Sequence, residues 1–187
     1  DAAAILGVDM GAGHIAVALT DLRGQVLAWE HQSHPVRTDP TGTLALMTEL
    51  SARCVKTLGR RADRLLGAGI AVPSPVNLGQ PDELDGIILP ARRGVAVGAA
   101  LRKRFKVPVV VDNDANLAAV AEQWWGLGQG VDNFAYIKVA TGIGSGHIIG
   151  GRIYRGAQGI AGEIGHLAID PRGAPCVCGL RGCLATL

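Results

Sequence analysis

Charge, long apolar runs and dispersed cysteines are all scarce in this chain of 187 residues. Asp, Glu, Lys and Arg together make up 18% of it and leave a formal net charge of only +2. A surface that binds duplex nucleic acid needs clustered Lys and Arg to displace counterions from phosphates. The densest basic stretches are Arg60-Arg61 with Arg64 and Arg102-Lys103-Arg104 with Lys106. Both sit near the ends of expected helices, where a solvated surface accounts for them, so any DNA contact belongs to a module outside this chain. No apolar run reaches the ~20 residues of a membrane-spanning helix. No charged head followed by an apolar segment opens the chain as a secretory signal would. Four cysteines are present, Cys54 alone and the other three crowded between Cys176 and Cys183. Disulfide frameworks spread their cysteines through small secreted chains, whereas a crowded triplet in a mid-sized domain reads as metal ligands in a reducing compartment. The expectation is a cytoplasmic protein without a membrane partner.

What is present is apolar content of 48%, enough for one sizeable core or for one domain and part of a second. The opening reads as an antiparallel meander: a strand at Ile5–Val8, a turn at Gly11-Ala12-Gly13, a strand at Ile15–Leu19, a hairpin turn at Asp21–Gly24, and a strand at Val26–Trp29. A helix follows over residues 41–58, with Leu44, Met47, Leu50, Cys54 and Leu58 on one apolar stripe. Then come a strand at Gly67–Val72 stopped by Pro73-Ser74-Pro75, a helix at Val97–Lys106, a buried parallel strand at Pro108–Asp112, and a helix at Asn116–Trp125 ended by Gly126 and Gly128. A second block repeats the opening coarsely: strand Phe134–Val139, glycine turn Thr141–Gly146, strand His147–Ile149, hairpin Gly150-Gly151, strand Arg152–Tyr154. The repetition suggests two lobes around a cleft. Both ends read as cut, because a strand starts almost at the first residue and Cys183–Leu187 reads as the start of a helix.

Four constellations carry chemistry. Asp9-Met10-Gly11-Ala12-Gly13 follows a buried strand. Glycines there let backbone N–H groups approach a phosphate, and Asp9 is placed to hold a metal-bound phosphate through water; a plain glycine turn is the competing reading. Asp112-Asn113-Asp114-Ala115-Asn116 stands at the carboxyl end of a strand, where open α/β sheets bind ligands. Asp114 suits a general base toward a hydroxyl and Asn113 a donor to a polyol, although one of these residues caps the following helix. So many carboxylates and amides together are costly to hold without ligands or partners. Glu163 and His166, flanked by Gly162 and Gly165, form the third group, which an ordinary polar loop would also explain. Cys176-Val177-Cys178-Gly179-Leu180-Arg181-Gly182-Cys183 is the fourth. Zinc prefers four tetrahedral thiolate and imidazole donors, and His166, ten residues before Cys176, is the nearest histidine to complete the set; buried or redox-active thiols are the alternative.

In this order the motifs resemble the ROK family, whose name covers repressors, open reading frames and sugar kinases. The resemblance runs through the whole chain. It implies an α/β, actin-like (ribonuclease-H-like) two-lobed fold with mixed sheets, residues 1–125 forming the first lobe and 126–187 the start of the second with its zinc loop. It implies roughly a hundred further residues on the C-terminal side. Asp9, Gly11, Thr141, Gly142 and Gly144 are the implied phosphate or nucleotide contacts. Ser74, in the stretch Ala71–Val76, and Asn113, Asp114, Glu163 and His166 are the implied sugar contacts. Asp114 is the implied catalytic base, and His166, Cys176, Cys178 and Cys183 match the family's structural zinc site. Three departures stand out. Gly13 replaces a Thr that helps the kinases hold ATP phosphate, Ser74 replaces a Gly, and Ala185 replaces a sugar-binding Glu. The wording of Tyr136–Thr141 and Val177–Gly182 is closer to the family's repressors. The expectation is therefore a sugar-sensing effector domain of a transcriptional regulator whose helix-turn-helix lies outside this chain, forming a homodimer or larger. The alternative is an ATP-dependent sugar kinase that uses Mg-ATP.

Overall fold

The computed structural model describes residues 3–59, 64–77, 79 and 96–187; Arg60 and Arg61 of the first basic stretch lie outside them. Alternation builds the first sheet. In β1 (Ala4–Met10), Ala4, Leu6, Val8 and Met10 are buried on one face. Their neighbours across the sheet are Ile15, Val17 and Leu19 of β2 (His14–Asp21) and Ala68, Ile70 and Val72 of β4 (Leu65–Val72). β3 (Val26–Ser33) pairs antiparallel with β2, and β5 (Val109–Asn113) pairs parallel with β4, giving the order β3-β2-β1-β4-β5.

Helix α1 (Pro40–Lys56) and helix α2 (Val97–Phe105) cover that apolar face. Asp39 caps α1 by accepting from the Gly42 N–H at 2.8 Å, and Pro40 supplies a ready-made first turn. The buried side of α1 comprises Thr43, Leu46, Met47, Leu50, Ser51, Cys54 and Val55, while the expected stripe residues Leu44 and Leu58 are only partly buried. A helix seated on a sheet buries a face broader than a narrow stripe, and the contact has rotated toward Leu46 and Val55. Cys54 is a core thiol whose pKa burial pushes up, and its Sγ donates to the Val17 carbonyl at 3.7 Å.

Parallel pairing decides where the site can form. The registers Asp9↔Ala71, Ala71↔Asp112 and Val72↔Asn113 bring the carboxyl ends of β1, β4 and β5 level, so the first two acidic motifs share one edge. From that edge α3 (Asp114–Trp125) leaves β5 and packs on the second sheet, built of β6 (Phe134–Val139), β7 (Ile143–Ile149) and β8 (Arg152–Tyr154) in the order β6-β7-β8. Both β1-β2-β3 and β6-β7-β8 are antiparallel meanders, as the repeated pattern predicts. The expected turn at Thr141–Gly146 is shorter than read. It closes with the Ala140 N–H donating to Gly142 at 3.0 Å, and β7 begins at Ile143. Gly144 and Gly146 sit in the ladder opposite Lys138 and Tyr136, because glycine permits a turn without forcing one. The last residues form a single 3-10 turn, Leu184–Thr186. Among the described residues no helix is long and apolar enough to cross a membrane.

Candidate sugar and metal site

Asp112 is 2% exposed, and a buried carboxylate is stable only with partners. Arg155 supplies them, donating to Asp112 Oδ2 from Nε at 2.9 Å and from Nη2 at 2.6 Å. The Asn113 N–H at 2.8 Å and Asn116 Nδ2 at 3.3 Å reach Oδ1. Asn113 caps α3, its Oδ1 accepting from the Ala115 and Asn116 N–H groups at 2.9 and 3.1 Å. Its Nδ2 donates to the Ser74 carbonyl at 3.2 Å. This amide, expected to meet a polyol, ties the Pro73–Pro75 loop to the end of β5. Asp114, at the first position of α3, accepts from the Ala115 N–H through Oδ1 at 2.7 Å and from Lys138 Nζ through Oδ2 at 2.5 Å. Asp112 and Asp114 thus both have the protein partners that so crowded a polar cluster requires.

The sequence reading missed Lys138 and Arg155. Lys138 had a legible signal. On β6, Phe134, Tyr136 and Lys138 share the more sheltered face, while Ile137 and Val139 point outward and are exposed. A lysine turned inward among apolar residues turned outward marks a polar target, and that target is Asp114. Arg155 had none, because its partner lies 43 residues away.

The loop from Arg155 onward carries Glu163 and His166. The Ala161 N–H donates to the Arg155 carbonyl at 3.1 Å, and both the Ser145 N–H and the Ser145 hydroxyl donate to the Gly162 carbonyl, at 2.9 and 3.0 Å. His147 Nε2 lies 2.9 Å from the same hydroxyl. The backbone leading into Glu163 is thus tied to β7 at Gly162 and, at Ala161, to Arg155, whose side chain holds Asp112. A 3-10 turn, Ile164–His166, follows and places His166 Nε2 3.9 Å from Glu163 Oε2. Ser74 is 2% exposed, and its hydroxyl is without a hydrogen-bond partner among the described residues.

His166 faces two ways. Its Nδ1 lies 3.4 Å from Cys176 Sγ, and Cys178 Sγ lies 3.6 Å from Cys183 Sγ. The four ligand atoms of His166, Cys176, Cys178 and Cys183 all fall within 4.8 Å of one another. The cysteines are unbridged, and 3.6 Å is far beyond the ~2.05 Å of a disulfide. Thiolates at ~2.3 Å from one tetrahedral ion stand about 3.8 Å apart, so these spacings suit a shared cation. The backbone is shaped for it. Gly182 has φ +61°, and a Cβ there would stand 1.6 Å from the Asp170 carbonyl, so the return of the knuckle requires glycine. The electrostatics agree. Burial and the adjacent thiols Cys178 and Cys176 push Cys183 up to about 12, while the Leu180 backbone N–H pulls Cys178 down. Burial, and after it the Arg37 charge, lower the His166 pKa and so favour the neutral form that ligates metals. Three crowded thiols ionise together only beside a cation. The donor set fits a Cys3His metal centre.

The expected phosphate residues lie on separate sheets. Asp9 is near the end of β1 and Gly11 opens the turn after it, with Asp9 Oδ2 3.2 Å from His14 Nε2. Thr141 and Gly142 form the β6–β7 turn, and Gly144 stands within β7.

Residues 5–187 match the ROK family. The chain belongs to that family. It is 32% identical to the xylose repressor of Caldicellulosiruptor bescii over 98% of its own length and 46% of that protein. Among solved structures, a ROK family glucokinase from Streptomyces griseus in complex with glucose and AMPPNP superposes with a TM-score of 0.78 at 31% identity, over 96% of this chain and 55% of that one. A ROK family transcriptional regulator homologous to the E. coli MLC protein superposes with the same TM-score of 0.78 at 33% identity, over 98% of this chain and 46% of that one. The fold is thus the actin-like ATPase fold shared by the enzymes and regulators of the family. The chain spans about half the length of the curated relatives it matches.

Proposed function

We propose that this chain is the sugar-sensing part of a ROK-family transcriptional regulator, and that it binds a sugar without transferring phosphate to it efficiently. The observation that carries this reading is the engagement of Asp114. Its Oδ1 is held by the Ala115 N–H and its Oδ2 by Lys138. A general base must receive the sugar hydroxyl on one of its oxygens, and here each oxygen already holds a donor with which that hydroxyl must compete. Gly13 and Ala185 stand where the kinases of the family carry a Thr and a Glu, which supports the same reading. In this reading Ser74, Asn113, Asp114, Glu163 and His166 line the sugar site. Asn113 acts by fixing the Ser74 loop, and Asp114 accepts a hydrogen bond instead of a proton.

The metal is zinc in this proposal, with a structural role. It braces the 3-10 turn that carries His166, so that sugar contact and metal ligation share one imidazole. The two sheets then form the facing lobes, residues 1–125 and 126–187, and α3 joins them. The regulator works as a homodimer or larger in the cytoplasm, where thiolates stay reduced, and meets DNA through a helix-turn-helix outside this chain.

The kinase reading retains one specific support. Asn113-Asp114 is intact on a fold equally similar to a glucokinase, and Asp9, Gly11, Thr141, Gly142 and Gly144 would then contact Mg-ATP. Isothermal titration of the full-length protein with hexoses, pentoses and N-acetylhexosamines, with and without Mg-ATP, followed by product analysis, separates the two. Sugar binding without phosphorylated product is the expected result. Phosphorylated sugar would replace the regulator reading with the kinase one.

A further inference from the structure

The turn between β1 and β2 is Gly11-Ala12-Gly13, and the His34 N–H pins it by donating to the Gly13 carbonyl at 3.0 Å. His14, the first residue of β2, folds back over this turn. Its Nε2 lies 3.2 Å from Asp9 Oδ2, and its ring stacks on His31 with centroids 5.4 Å apart and planes inclined by 28°. A Cβ built on Gly11 would stand 2.2 Å from the His14 Cε1 and 2.5 Å from its Nδ1. The imidazole therefore fills the space that the missing side chain of Gly11 leaves open.

A phosphate would need the same space. It approaches a backbone that carries no Cβ, and it uses a nearby carboxylate through a bound cation. Here one ring covers Gly11 and occupies Asp9 together. Gly13 is different, because a Cβ there meets nothing within 4 Å. Room for a hydroxyl at position 13 persists, so the occupant of Gly11 and Asp9 is the obstacle.

We propose that His14 is the built-in occupant of this loop and closes it to the phosphates of a magnesium nucleoside triphosphate. The proposal rests on the sensor reading above and sharpens it, since it names what keeps the nucleotide out. Phosphate enters only when the imidazole leaves Asp9 and its stack on His31.

Titration of the full-length protein with Mg-AMPPNP tests this. His14→Ala is expected to tighten nucleotide binding at least tenfold over the wild type, and Gly13→Thr/His14→Ala to tighten it further. His31→Ala removes the stack without touching the turn, and a smaller tightening in the same direction is expected. Unchanged or weaker binding in His14→Ala overturns the proposal, and so does a failure of all forms to bind. Circular dichroism and metal content of each variant report folding independently, and a loss of fold does not produce a gain in affinity. Hexose titration of the same proteins separates the two claims: absence of sugar binding would sink the sensor reading while leaving the closure by His14 standing or falling on the nucleotide data alone.

Discussion

The two halves of this chain are held by different forces. The main hydrophobic cluster runs from Ala4 to Val111 and lies between the first sheet and helices α1 and α2. Beyond Val111 the buried apolar residues are few among those described, chiefly Ala115, Ala119, Ile148 and Cys183. Ile160, Leu167, Ile169, Val177 and Leu180 are all exposed. Where the first half is fixed by burial, the second is fixed by polar groups: Arg155 on Asp112, Lys138 on Asp114, Ser145 on Gly162, and the His166–cysteine cluster. Burial is non-directional and tolerates repacking, whereas ion pairs and metal donors demand exact partners. In the proposed function, a region built the second way is the one that a bound sugar would reorganise.

Removing the metal should test this contrast most severely. Structural zinc contributes on the order of 10 kcal/mol to small zinc-dependent folds. Cys178→Ser is expected to lose the bound metal and to expose residues 164–187 to limited proteolysis while the first sheet stays protected. Equal protection in both proteins would mean that burial holds the knuckle after all. Next in size is Arg155→Ala, which strands the buried Asp112 carboxylate and should cost about 3–5 kcal/mol in chemical denaturation. Replacing both members by neutral residues of similar volume should recover most of that loss. Leu50→Ala, by contrast, removes only apolar contacts in the first half, at about 2–5 kcal/mol, and should leave metal affinity untouched. Asn113→Ala deletes the α3 cap and the tie to Ser74, so a loss of about 1–2 kcal/mol in thermal unfolding is expected, together with weaker sugar binding. Lys138→Met should change stability least. Its readout is the sugar titration, because Asp114 regains a free oxygen.

The first half was the more legible in sequence for the same physical reason. Short apolar runs punctuated by glycine and proline predict β1, β2, β4 and β5, although β5, read as buried, is the edge strand and leaves Val110 exposed. The knuckle was legible too, since Cys176, Cys178 and Cys183 crowd into one loop and His166 is close by. The ion pairs were harder. Lys138 on Asp114 spans 24 residues and Arg155 on Asp112 spans 43, and nothing local dictates either. Thr141–Gly146 misled for a related reason: strand pairing with β6 overrode the glycine content. His14 was visible only as the neighbour of Gly13. That its ring lies over Gly11 depends on the pairing of β2 with β3, which carries His31.

The imidazole of His166 is the centre of the account, because in the proposed function it joins the metal cluster to the sugar site. The most direct measurement is sugar affinity by isothermal titration before metal removal, after chelation, and after zinc is restored. The account predicts at least a tenfold loss on chelation and recovery with zinc. Sugar binding that is indifferent to the metal would contradict it.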